Sequence, residues 1–340
     1  MGVGLEDSCV HCGFCLEACP TYVVTRSEVH SPRGRITAVK LDVDSQGFDT
    51  CMFCRRCELA CPSGVEYARI ITKVRRATPE KILMNSLLER PRLAWRVLKA
   101  GKSLNSGLIQ RVRLSLRDPQ EPLEYREESP EVILFPGCLT SLAYRRTVEN
   151  ALKFLKAKGL RVSVLNGCCG LAHRSEGQVE RAQELVRRLT NVKGGTLVSL
   201  SSNCTAHMRE SGVQVLDFSE YVLGLLGQER VELSLTVHDP CHANMIGLGK
   251  ATREVLRKLG VNLVEMEEPS FECGAGGGYF LFHPQIAENV MELKAEKIRR
   301  SGTNLVVSTN PSCSLVLSFK GFQVVHLADL LAQTVTKSLE

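Results

Sequence analysis

Residues 9–20 read CVHCGFCLEACP, and residues 51–62 read CMFCRRCELACP. Both runs have the spacing C-x2-C-x2-C-x3-C-P. Three closely spaced cysteines let one loop wrap three irons of a [4Fe–4S] cubane, while the intervening amides donate hydrogen bonds to its sulfides. The fourth cysteine, carried off on a helix, reaches the other cluster of the pair. The spacing therefore assigns Cys9, Cys12, Cys15 and Cys61 to one cluster, and Cys51, Cys54, Cys57 and Cys19 to the second. C-x2-C pairs also suit zinc, but zinc needs neither the third cysteine two residues on nor the trailing Cys-Pro. His11, inside the first loop, offers a ligand or, more often at such a place, a solvent-facing group that tunes the cluster.

The remaining composition sets bounds on that reading. A chain of 340 residues has room for two or three domains. It holds fifteen cysteines and opens MGVGLEDSC, with no charged and apolar leader. Cysteines in that setting read as metal ligands or redox thiols of a reducing cytoplasm rather than as disulfides. No apolar stretch is long enough to span a bilayer. The net charge of +6 is uneven: Arg69 to Arg117 carries thirteen Lys or Arg against Glu80 and Glu89. That basic, apolar-interleaved segment suits an anionic membrane surface, an acidic partner subunit, or a solvated face on its own domain. No nucleic-acid module accompanies it, which argues against nucleic-acid binding. Residues 118–130, DPQEPLEYREESP, read as a linker.

From Glu131 onward, short β-branched runs alternate with helical patterns. Strands are expected at Val132–Phe135, Val162–Leu165, Leu197–Leu200, Leu235–Val237, Leu263–Val264 and Leu305–Val307, with helices at Gln178–Leu189 and Gln285–Ile298. This part repeats itself. VILFPGC ending at Cys138 answers LTVHDPC ending at Cys241, and Cys168-Cys169-Gly170 answers Glu272-Cys273-Gly274. LVSLSSNC ending at Cys204 answers LVVSTNPSC ending at Cys313, and VQVLDFSEYV answers FQVVHLADLL. The cysteines follow strands, where open α/β sheets build their sites. The first half offers Cys138, Cys168, Cys169, Cys204 and His207 as ligands to an iron–sulfur cluster. The second offers Cys241, Cys273 and Cys313 with Glu272 where the repeat calls for a cysteine, and Val316 opposite His207. Those three thiolates suit a cluster with one non-cysteine ligand, or a zinc with Glu or His as the fourth; His238 and His242 flank Cys241. Gly274–Gly278, GAGGG, allows close backbone approach but opens no strand-to-helix nucleotide loop, and no flavin or nicotinamide fingerprint is present.

The fold expected is α+β and multidomain. A helical two-cluster domain spans 1–68, a basic helical segment and linker 69–130, and two repeated α/β cysteine-rich domains 131–228 and 229–340.

CVHCGFCLEACPTY (Cys9–Tyr22), SPRGRI (Ser31–Ile36) and CMFCRRCELACPSGVEY (Cys51–Tyr67), with the tandem "CCG" repeat, resemble the iron–sulfur subunit of glycolate oxidase. The layout is shared with lactate-utilisation proteins, anaerobic glycerol-3-phosphate dehydrogenase and heterodisulfide reductase. The resemblance covers nearly the whole chain. It implies an electron relay: a separate FAD-containing dehydrogenase subunit oxidises a 2-hydroxy acid such as glycolate or lactate. Electrons then pass through these clusters to a quinone or another carrier, on a cytoplasmic protein that can sit peripherally on the inner face of the membrane. The alternative it raises is a catalytic subunit acting on a disulfide at a CCG-bound cluster. Cys204-x-x-His207, Cys313-x-x-Val316 and Glu272 depart from the cysteine pattern that such chemistry uses.

Overall fold

The computed structural model describes residues 4–101, 107–116 and 119–336. Residues 1–3 and 337–340, and Lys102 and Arg117 of the basic segment, lie outside the described residues. Residues 4 to 74 are helical and short-looped. Pro20 and Pro32 each start a helix, Pro20–Thr25 and Pro32–Lys40, where a missing N–H costs nothing. Ser31 caps the second by accepting from the Gly34 amide at 2.9 Å. Ile36, Phe48, Phe53, Val65, Tyr67, Ile70 and Ile71 form a small apolar core that also buries Cys51 and Cys57.

The rest of the chain is built on two small parallel sheets. Strands β1 (Val132–Phe135), β2 (Val162–Val164), β3 (Thr196–Ser199) and β4 (Leu216–Asp217) pair in the order β2-β1-β3-β4. Strands β5 (Ser234–His238), β6 (Asn262–Leu263), β7 (Leu305–Ser308) and β8 (Gln323–Val325) pair as β6-β5-β7-β8. Every pairing is parallel, so each strand returns through a crossover, and identical order in the two sheets makes the sequence repeat a structural one. Two of the strands, β4 and β8, were not among the runs expected to be strands. They carry only two and three residues, too few to show alternation.

The halves pack reciprocally. Helix Arg145–Ala157, after β1, lies on the last helix of the second half, Leu327–Thr336. Helix Gly249–Lys258, after β5, lies on the last helix of the first half, Phe218–Leu223. One apolar cluster runs through both, from Val132, Leu134 and Val198 to Leu235, Val237 and Val307. Asp329 accepts from Asn150 Nδ2 at 2.9 Å and Thr147 Oγ1 at 3.1 Å across this joint. At the strand ends Ser201 Oγ meets Asn310 Oδ1 at 3.2 Å, and Ser202 N donates to the Thr309 carbonyl at 3.0 Å. The two sets of strand C-terminal ends therefore face one another.

The basic segment does not read as one exposed face. It begins within helix Tyr67–Val74 and continues through helices Pro79–Leu88, Pro91–Ala100 and Gly107–Ser115. Arg75 and Lys81 are buried, and both reach Glu176 of the first sheet-bearing half at 3.1 Å. Arg75 also donates to the Cys51 carbonyl at 2.8 Å and the Asp49 carbonyl at 3.0 Å, and Lys81 pairs with Asp49. Arg92 pairs at 2.7 Å with Glu124 of the acidic 118–130 stretch. Charge runs read as surface in sequence; here part of the charge is an internal clamp whose acids lie tens of residues away.

Candidate metal centres

The loops after Cys9 and Cys51 are held by left-handed residues: His11, Phe53 and Arg55 have φ near 54°, 56° and 63°. Such turns aim successive amides inward, the arrangement that a sulfide-bearing cluster calls for. One cavity is lined by Cys9, Cys12, Cys15 and Cys61, with Cys57 at its inner wall. Cys12 is exposed, so this end of the pair faces solvent. Burial, opposed by a backbone hydrogen bond near Arg33 and reinforced by Cys19 and Cys9, pushes the Cys15 thiol up to about 11. Cys54 and Cys57 are raised well above the ordinary thiol value, first by burial and then by Cys19, Cys51 and their other acidic neighbours. Thiols that raise one another in this way are relieved by a bound cation, which takes all of them as thiolates. Both four-cysteine sets suit the cubanes that their spacing calls for.

Beside the second set lies Arg35, 1% exposed. Its Nε donates to the Gly47 carbonyl at 2.6 Å, its Nη2 to Thr21 Oγ1 at 3.1 Å, and its Nη1 lies 4.0 Å from Cys19 Sγ. Burial works against its charge, but Tyr67, Cys51 and Cys19 hold it protonated.

All seven cysteines of the sheet-bearing halves line one cavity where the two sets of strand ends meet. Cys138, Cys168, Cys169 and Cys204 converge from the first half. The Cys168 thiol is raised first by Cys138 and then by burial, and Cys169 first by Cys204. Gly170, at φ 92°, follows the cysteine pair where a Cβ would meet the Ala182 carbonyl at 2.8 Å. Gly274, at φ 86°, repeats this against the Ala287 carbonyl at 2.8 Å. The repeat thus keeps its glycine for a steric reason, whether or not the first cysteine precedes it. Behind Cys168, the buried His173 lies with Nε2 3.0 Å from Glu89 Oε1.

His207 goes elsewhere. It lines a neighbouring cleft, outside the cysteine cavity, with Nδ1 3.4 Å from Arg174 Nη1. Burial first, then Arg174, lowers it to about 3, so its ring is neutral.

In the second half, Cys241, Glu272, Cys273 and Cys313 line the cavity. Cys273 and Cys313 are 3.0 Å apart at sulfur, and Glu272 Oε1 is 3.5 Å from Cys273 Sγ. His238, which sequence reading noted only as flanking Cys241, joins these two thiols. The end-of-strand place of His238 in HDPCH, matching the site-building ends of the other strands, is the signal that could have found it.

The cavity's remaining wall is the second cysteine loop of the N-terminal domain. Met52 and Phe53 line it; His242 Nε2 meets the Phe53 carbonyl at 2.9 Å, and their rings are 5.8 Å apart. Arg56 donates to the Ser270 carbonyl at 2.7 Å, and its guanidinium sits 5.2 Å over the Phe271 ring. Gly276 brings its backbone against the Met52 carbonyl, where a Cβ would be 3.4 Å away. The GAGGG run therefore serves the joint with this loop as well as the neighbourhood of Cys273.

Comparison with known proteins matches a 4Fe-4S dicluster domain to residues 8–65, and a cysteine-rich domain twice, to residues 132–209 and 235–318. The chain is 27% identical to the glycolate oxidase iron-sulfur subunit of Escherichia coli, over 97% of this chain and 94% of that one. It is 26% identical to the probable glycolate oxidase iron-sulfur subunit of Bacillus subtilis, over 96% of this chain and 93% of that one. It is 23% identical to a dihydromethanophenazine:CoB–CoM heterodisulfide reductase subunit of Methanosarcina barkeri, over 92% of this chain and 88% of that one.

Proposed function

We propose that this chain, a 4Fe–4S dicluster domain joined to two cysteine-rich domains, is the electron-transfer subunit of a flavin-dependent 2-hydroxyacid dehydrogenase complex. Cys9, Cys12, Cys15 and Cys61 hold one cubane, and Cys51, Cys54, Cys57 and Cys19 the other. Cys138, Cys168, Cys169 and Cys204 hold a third iron–sulfur centre, and the second cysteine-rich domain holds a further cluster or a zinc. Iron–sulfur centres supply one-electron carriage, which suits accepting a reduced flavin's two electrons in turn.

The observation that carries this reading is contact: the Cys51–Cys57 loop forms a wall of the seven-cysteine cavity through Met52 and Phe53. Around these centres the chain holds the charge and excludes water. Arg35 sets a buried positive charge beside Cys19 and Cys51, and His242, kept neutral by burial, pins the Phe53 carbonyl at the joint. The glycolate oxidase iron-sulfur subunits among its relatives support a 2-hydroxy acid as substrate and a partner subunit; an FAD-containing partner and a quinone or similar carrier as final acceptor are what the family resemblance implies. Among the described residues no helix is long and apolar enough to cross a membrane.

Hydride removal from a 2-hydroxy acid needs a two-electron acceptor, and no flavin or nicotinamide fingerprint is present. Purified anaerobically, the chain is expected to take electrons from dithionite yet turn over neither glycolate nor lactate. Flavin-independent oxidation of either substrate overturns the proposal. The second reading, disulfide reduction, draws on the shared cavity and on the heterodisulfide reductase relatives. Steady reduction of an added disulfide by the dithionite-reduced chain would favour it.

A further inference from the structure

We infer that His238, Cys273 and Cys313 bind a single divalent cation of the zinc class, with Glu272 in the fourth position. This rests on reading the second cysteine-rich domain as a metal site, and narrows that site to a mononuclear one with a histidine ligand. The ligand atoms of His238, Cys273 and Cys313 all lie within 4.8 Å of one another and all three residues are buried. A tetrahedral zinc takes sulfur at ~2.3 Å and imidazole nitrogen at ~2.0–2.1 Å, which places its ligand atoms roughly 3.5–3.8 Å apart. The thiols stand 3.0 Å apart at sulfur, shorter than that edge, so a bound cation would spread them by more than about half an ångström. A cubane instead binds each thiolate on a different iron corner and spreads the sulfurs wider.

The histidine is the second observation. His238 is 2% exposed and neither ring nitrogen has a hydrogen-bond partner. A buried, unpartnered imidazole is costly, and ligation relieves the cost.

Glu272 Oε1 lies 3.5 Å from Cys273 Sγ, and its Oε2 is buried without a partner. Asn310 Nδ2 donates to Cys313 Sγ at 3.2 Å, and this asparagine is itself fixed by Ser201 Oγ at 3.2 Å. Charge closes the case. A dication with two thiolates, a carboxylate and a neutral imidazole carries one net negative charge. The fully buried Lys294, among whose charged neighbours are Cys273, Cys313 and Glu272, balances it; its ammonium is held by the Pro269 carbonyl at 2.8 Å. Cys241 borders the site on the far side of Glu272, hydrogen-bonded to that carboxyl, with its sulfur 3.7 Å from Asn203 Nδ2 of the first half.

The test uses the whole chain, prepared anaerobically. Zinc K-edge absorption is expected to show a first shell of two sulfurs and two nitrogen or oxygen atoms, without a metal–metal vector. His238→Ala is expected to lower zinc retention against a chelator by roughly tenfold or more, the least that loss of a ligand should cost if outer-shell changes already cost that much. The EPR of the two N-terminal cubanes should not change. His238→Cys is expected to retain zinc with a three-sulfur shell. Absence of zinc, iron at this site, a Cys273–Cys313 disulfide in the isolated chain, or full zinc retention by His238→Ala overturns the inference. None of those results bears on whether the N-terminal cubanes carry electrons.

Discussion

Cys19 sits at the end of its own loop but beside the other one, buried, with Arg35 Nη1 4.0 Å from its sulfur and Thr21 Oγ1 at 3.2 Å. If the ligand sets cross over, Cys19→Ser damages the cluster held by Cys51, Cys54 and Cys57 and spares the one held by Cys9, Cys12 and Cys15. EPR of the two centres in the variant distinguishes them; loss confined to the Cys9 cluster contradicts the crossover. Gly274 supports a second residue-scale expectation. Alanine there must hold φ 86° and meet Met291 Cγ at 2.6 Å as well as the Ala287 carbonyl. The left-handed penalty alone is about 1–2 kcal/mol, so Gly274→Ala should lower the unfolding midpoint by several degrees. An unchanged midpoint would mean that the repeat's glycine is not sterically required. The glycines and cysteines were legible because spacing alone marks them. His238 was marked only by its place at a strand end; the fold alone carries Cys273 and Cys313 to it.

Elements show where sequence reading stops. The runs at Val132–Phe135 and Leu305–Val307 were legible as strands because they are continuous, apolar and β-branched, and burial on both faces leaves nothing to alternate. The helix Pro284–Arg300 was legible from its period, two residues short at its C-terminal end. The 69–117 stretch was legible only as charge. Its partners are remote in the chain, since Arg75 and Lys81 meet Glu176 about a hundred residues on. That clamp predicts a large effect from a quiet position. Glu176→Ala leaves two buried cations with only Asp49 between them, and breaking a buried pair costs roughly 3–5 kcal/mol. The expected outcome is a clearly lowered unfolding midpoint, while Glu180→Ala, exposed nearby, changes it little. Equal midpoints would show that the clamp does not hold the N-terminal domain to the first sheet. Arg96 and Lys99 remain on the outer side of helix Pro91–Ala100, Lys99 4.8 Å over the Trp95 ring, and Arg92 is half-exposed. Reversing all three to Glu should weaken binding to anionic vesicles or to the flavoprotein subunit if this face docks. A triple variant that co-sediments and co-purifies like wild type marks it as a solvated face.

At the scale of the molecule, each site borders the next: a solvent-facing cysteine set around Cys12, a buried set around Cys51, and then the cavity where both repeats meet. Tandem repetition was legible from four matching blocks, but not that the halves would face their strand ends inward and share one cavity. That follows from the reciprocal packing of Arg145–Ala157 on Leu327–Thr336 and of Phe218–Leu223 on Gly249–Lys258, which no local pattern encodes. The measurement that bears most directly on the relay is an anaerobic redox titration of the whole chain followed by EPR, with wild type beside Cys168→Ser. Wild type is expected to hold about eight irons in two magnetically interacting cubanes, together with a further iron–sulfur signal, and Cys168→Ser to lose only that further signal. Zinc instead of iron at the Cys9–Cys61 and Cys51–Cys19 sets, or cubanes that never reduce within the range of dithionite, would contradict the account.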